Sequence, residues 1–97
     1  MSKFNDIKNQ AIGLLEVQGM VCAIEGLDSM LKAADVRLIH CEKKLGGWLV
    51  TMVIQGEVSA VEAAIAAGAQ NAAHIGNVKN AEVIARPHEE IMKFLLH

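Results

Sequence analysis

The sequence predicts a single α/β (α+β) domain: an antiparallel sheet built in the order β-α-β-β-α-β, followed by an added C-terminal helix. Three observations predict it. Four short segments are rich in branched or alternating apolar residues, two longer stretches between them repeat at helical spacing, and glycines mark the junctions. A chain of 97 residues has room for one core.

Each element has its own justification. Residues 1–10 form a polar N-terminal extension, with Phe4, Ile7 and Ala11 spaced for one helical turn, and residues 11–97 form the single domain. Residues 11–17 are a short apolar strand closed by Gly19. Over 20–34, Glu25, Asp28, Ser29 and Lys32 recur on one helical stripe, which puts Val21, Ile24, Leu27, Leu31 and Ala34 on the side expected to be buried. Asp28 and Lys32 are an i,i+4 pair in the favourable order. Val36, Leu38 and His40 alternate with Arg37, Ile39 and Cys41, as strands do. The charged stretch 42–47 ends in Gly46-Gly47, a hairpin signal, before a branched strand over 48–55. A helix over 57–75 holds eight alanines, with Ser59 and Glu62 at capping-box spacing and Gly76 as its stop. Residues 78–86 are the fourth strand, ended by Pro87. A last helix from His88 places Ile91, Phe94 and Leu95 on one face, with Glu89 and Glu90 at its positive end and Lys93 near its negative end. This order matches the ferredoxin-like split βαβ arrangement, with two helices on one face of the sheet.

Composition narrows the function. Residues of the AVILMFWYC set make up 53% of the chain, and 8 glycines bring the small-plus-apolar share to roughly 61%, above the usual 45–50%. So small a domain cannot hide that much apolar surface, which favours an obligate oligomer. A net charge of −2 and 3% aromatic residues supply neither a phosphate-binding stripe nor stacking rings, so nucleic acid is not the expected partner. No apolar run approaches the roughly 18 residues of a membrane span, and residues 1–10 lack a signal-peptide core, so the expected location is cytoplasmic. Cys22 and Cys41 are expected to be free thiols.

No chemistry-bearing constellation emerges. Glu25 and Asp28 read as a solvated helix face. His40, His74, His88 and His97 have no metal-ligand spacing, and Gly46-Gly47 opens no phosphate loop. Trp48 reads as a strand-core residue, with a channel-lining role as the other option. No catalytic residue, metal ligand or cofactor is indicated.

Two blocks carry more. Ile12-Gly13-Leu14-Leu15-Glu16-Val17-Gln18-Gly19 lies near the start, and Ala81-Glu82-Val83-Ile84-Ala85-Arg86-Pro87-His88 follows the turn Gly76-Asn77-Val78-Lys79. Together, over residues 11–95, they resemble the bacterial microcompartment (BMC) shell-protein domain, of the single-domain, hexamer-forming type. The resemblance implies a structural protein and not an enzyme: a cyclic homohexamer that tiles into sheets with other microcompartment shell proteins, around encapsulated enzymes. It implies that Lys32, in Met30-Leu31-Lys32-Ala33-Ala34-Asp35, and Arg86, in Arg86-Pro87-His88, lie at the hexamer–hexamer edge. It also implies that Lys43, Lys44, Leu45, Gly46 and Gly47 line a central pore for small polar metabolites. This stretch departs from the family pattern in its second lysine, in Leu45 where glycine is usual, and in one extra residue before Val50-Thr51. Lys43 and Lys44 are expected to splay toward the two faces, paired with Glu42, and Trp48 to anchor the loop from behind. A second reading places a metal or iron–sulfur cluster in the pore through Cys41. A third makes the chain a small ligand-binding regulatory domain.

Overall fold

The structure, a computed structural model, describes residues 10–96. The expected helical turn through Phe4 and Ile7 lies outside the described residues, as does His97. The elements are β1 (Ala11–Gln18), α1 (Met20–Ala33), β2 (Arg37–Lys44), a short turn (Leu45–Gly47), β3 (Leu49–Gly56), α2 (Val58–Ala73), β4 (Val78–Ile84) and α3 (Glu89–Leu96). The strands form one antiparallel sheet in the order β2-β3-β1-β4, the expected split arrangement.

Alternation along the strands gives the sheet two different faces. Ala11, Leu15 and Val17 of β1 join Val50, Met52 and Ile54 of β3 in the main core under α1 and α2. Ile12 and Val53 face the other way and form a smaller core with Met92 of α3, backed by Leu14, Ile39 and Leu95. A bulge between Leu38 and His40 leaves Ile39 unopposed on β3, and Ile39 packs into this second core.

The two long helices meet through small residues. A Cβ on Gly68 would stand 2.5 Å from Met30 Cγ and 3.1 Å from the Gly26 carbonyl oxygen, and one on Gly26 would stand 3.0 Å from Leu15 Cδ2. Close approach of the helices therefore requires glycine at position 68, whereas a methyl group at position 26 would press mainly on the movable end of Leu15 in β1 and touch Ala72 Cβ at 3.4 Å.

This contact overturns the expected orientation of α1. Cys22, Ala23, Gly26, Ser29 and Met30 are buried, whereas Val21 (71%), Ile24 (62%) and Leu31 (45%) are exposed. Leu27 and Ala34 are half-buried. Ser29, assigned to the polar stripe, is instead buried and accepts a hydrogen bond from Asn71 Nδ2 at 3.0 Å. Size complementarity, and not hydrophobicity, decided which face turned inward.

Smaller differences have similar causes. Glu57, not Ser59, precedes α2, and no side chain caps that helix, so the capping box does not form. The buried face of α3 carries Met92, half-buried Leu95 lies beside it, and Phe94 is 80% exposed. The charge placement in α3 is as expected, with Glu89 and Glu90 in the first turn and Lys93 in the last.

Candidate functional site

The β2–β3 hairpin reaches further than its charged sequence implied. Glu42, Lys43 and Lys44 belong to β2, where they oppose Thr51, Val50 and Leu49. Only Leu45 to Trp48 make the tip. Trp48 N–H donates to the Leu45 carbonyl at 3.2 Å. Gly46 (φ 66°, ψ 25°) and Gly47 (φ 95°) have the positive φ values of a type I′ turn. Leu45 is also left-handed, with φ 55°, and its side chain is 77% exposed. That conformation costs a side-chain-bearing residue about 1–2 kcal/mol.

The tip is held by backbone. Gly19 N–H donates to the Trp48 carbonyl at 2.8 Å, and a Cβ on Gly47 would meet Met20 Cγ at 2.8 Å. The expected anchoring by the Trp48 indole is not what the structure shows. Trp48 lies outside β3 and is 57% exposed, so it is not a strand-core residue.

Pairing register separates the two lysines. Lys43 opposes Val50, which faces α1 and α2, whereas Lys44 opposes Leu49 on the α3 side. Lys43 accordingly lines a depression of about 330 Å³ with Met20, Gly46 and Gly47. Glu42 is not their described partner; its carboxylate lies 3.5 Å from His40 Nε2.

Behind the tip, the α3 face of the sheet carries a polar knot that spacing alone did not single out. Glu16 on β1 accepts from Thr51 Oγ1 on β3 and from Asn80 Nδ2 on β4, each at 2.9 Å. The Asn80 and Thr51 hydrogen bonds, helped by Lys44 and Lys79, hold its carboxyl below the ordinary carboxylate value. The signal in the sequence was a glutamate inside an otherwise apolar strand.

The other candidate residues lie at the opposite end. β1 and β4 pair so that Ile12 faces Ile84, and β1 pairs with β3 so that Ala11 faces Gly56. Arg86, just past β4, and Lys32, in the last turn of α1, therefore share the end remote from the tip. An eight-residue strand separates the two ends by about 23 Å. Both cations are exposed. Lys32 Nζ lies 2.8 Å from Asp28 Oδ2, the expected pair, and that carboxylate holds the ammonium above its ordinary pKa.

The cysteines are both free. Cys22 is buried and donates to the Ala72 carbonyl at 3.3 Å, and its burial pushes the thiol pKa up, away from reactivity. Cys41 is exposed within β2, opposite Met52 and short of the tip. Among the described residues no three His, Cys, Asp or Glu side chains are grouped as metal ligands, and no helix is long and apolar enough to cross a membrane.

Comparison with known proteins identifies the family. The model of the BMC domain family matches residues 11–87. The chain belongs to the BMC-domain family. It is 44% identical over 89 residues to the bacterial microcompartment shell protein PduA of Citrobacter freundii, covering 92% of this chain and 95% of that one. It is 46% identical over 88 residues to a carboxysome shell protein, CsoS1 of Prochlorococcus marinus, covering 90% of this chain and 84% of the relative. Among solved structures, a microcompartment protein from Desulfitobacterium hafniense DCB superposes with a TM-score of 0.78 at 32% identity. That match takes in 90% of this chain but 47% of the other, so the BMC domain here spans about half of its length.

Proposed function

We propose that this chain is a structural tile of a bacterial microcompartment shell in the cytoplasm. Six copies form a ring with their hairpin tips on the axis, and rings join edge to edge through Lys32 and Arg86. Its role is structural and not catalytic. The observation that carries this reading is that the hairpin tip lies at one end of the sheet, while Lys32, in the last turn of α1, and Arg86, just past β4, lie towards the other, one end for an axis and one for a rim. The exposed apolar side chains Val21, Ile24 and Leu31 on α1, with Ile75 and Trp48, supply surface for copies to bury against one another. Lys43 and Lys44, directed to opposite faces, give each mouth of the pore a positive collar that draws anionic or polar metabolites without plugging it. The iron–sulfur alternative gains no support, because Cys41 sits within β2 and not at the tip.

Native mass spectrometry tests the ring, with a hexamer expected and a stable monomer at micromolar concentration counting against it. Electron microscopy tests the edge. Lys32→Ala and Arg86→Ala should each leave hexamers intact while thinning out sheets and tubes, and sheets as abundant as wild type would remove both residues from the edge.

A further inference from the structure

Helix α3 has two apolar flanks, and the sheet covers one of them. Met92 and half-buried Leu95 turn inward, where Met92 packs with Ile12 and Val53. Ile91 and Phe94 share the other flank at i,i+3 spacing, and they are 41% and 80% exposed. Exposed Ile84 of β4 opposes Ile12 and so lies on the same side of the sheet. Charge borders this apolar strip. Glu89 and Glu90 stand in the first turn of α3, Lys93 Nζ lies 3.2 Å from Glu90, and Glu89 forms no ion pair among the described residues. The start of the described chain is close by. β1 and β4 run antiparallel with Ile12 opposite Ile84, so Gln10, ahead of β1, and His88, beyond β4, leave the sheet at the same end. The nine residues before Gln10 join the sheet there. Nine residues reach at most about 30 Å, against about 12 Å for the eight residues of α3.

We propose that residues 1–9 of the same chain cover the outer flank of α3, running antiparallel to it, with Phe4 and Ile7 against Phe94 and Ile91. Three matches favour this occupant. Phe4 and Ile7 repeat at the same three-residue spacing as Ile91 and Phe94, so two apolar steps meet two. The reversal of direction between β1 and β4, carried past the end of the sheet, sets Ile7 by Ile91 and Phe4 by Phe94. Lys8 then falls at Glu89 and Glu90, Asp6 falls next to Lys93, and Lys3 falls at the negative end of the helix. Burial of the apolar pairs supplies the attraction, while the exposed charges set the direction and register. Tethering does the rest: a segment joined a few residues away meets the flank at an effective concentration on the order of mM, which a separate partner would have to match. The segment thus covers a surface that would otherwise be adhesive, and it does so on the side of the sheet away from α1 and α2.

The test is amide hydrogen exchange of the full chain over α3, read by mass spectrometry. Replacing Phe4 and Ile7 together by alanine should speed exchange in α3 roughly tenfold. Phe94→Ala should speed it as well, although alanine is the better helix former and would slow exchange at a position that touches nothing. In the Phe4→Ala, Ile7→Ala background, Phe94→Ala should add no further rise. A second measurement identifies whose segment it is. Ile7→Cys combined with Ile91→Cys, in a Cys41→Ser background, should on oxidation give a disulfide within one chain, seen as a monomer band on a non-reducing gel with a mass two hydrogens lighter. Exchange that the Phe4 and Ile7 changes leave as it was, effects that add in the combined variant, or thiols that stay reduced overturn the proposal. Disulfide-linked dimers overturn it too, and would give the flank to a neighbouring copy.

Discussion

Leu45 holds the least comfortable backbone in the described chain, since it alone among non-glycine residues has a positive φ. Its side chain is mostly in solvent, so packing within the protomer does not explain the choice. Asparagine tolerates the left-handed region far better than leucine and, unlike glycine, adds little freedom to the unfolded chain. Leu45→Asn should therefore raise stability by about 0.5–1 kcal/mol, read as a higher urea midpoint at unchanged slope. No gain would mean that a neighbour compensates the strain. Glu16 makes a second prediction. Its carboxyl sits below its ordinary value of 4.5 through the Asn80 and Thr51 hydrogen bonds. As pH falls below that ordinary value, the unfolded chain takes up the proton first, so the contribution of Glu16 is full above this window and fades through the lower, folded value. Glu16→Gln should flatten that part of the stability–pH profile, and parallel wild-type and variant profiles would contradict the assignment.

Among the elements, the contact of α1 with α2 is the most constrained. Gly68→Ala would force its methyl group onto Met30 Cγ, 2.5 Å away in a fully buried site. A cost of about 1–3 kcal/mol is expected, visible as a lower melting temperature, whereas Gly26→Ala, meeting mainly the movable tip of Leu15, should cost less. Equal costs would show that the helices can slide apart. This interface also marks where sequence reasoning succeeded and where it stopped. Every strand and helix was legible, because period-2 and period-3.6 patterns and the glycine stops are local. The inward face of α1 was not, because Val21, Ile24 and Leu31 look like core residues in a single chain. Only the partner helix, with Gly68 opposite Gly26, shows that small residues turn inward. The extension of β2 through Glu42, Lys43 and Lys44 was hidden for a related reason: an edge strand can carry charge on both faces, so its composition resembles a loop.

At the scale of the whole molecule, the exposed stripe on α1 becomes the main question. If Val21 and Ile24 are covered when copies assemble, Ile24→Asp should dissociate the ring without unfolding the protomer, since the side chain is 62% exposed in the single chain. Light scattering with circular dichroism would show a smaller particle of unchanged helicity, and an intact hexamer would move the interface elsewhere. The placement of Lys32 and Arg86 away from the tip was reachable from the order of the elements, because each crossing of the sheet reverses direction. The hydrogen bond from Arg37 to buried Gln55 was not, because nothing in a run of branched residues says that its last glutamine is buried beside an arginine. The separation of tip from rim also bears on how such genes diversify. In the ring proposed above, a duplicated copy could drift at Leu45 and its neighbours, and so acquire a new permeability, while its outer border stays compatible with that of its siblings. Mixed walls then need no redesign of their joints, and each variant tile adds a different door to the same masonry.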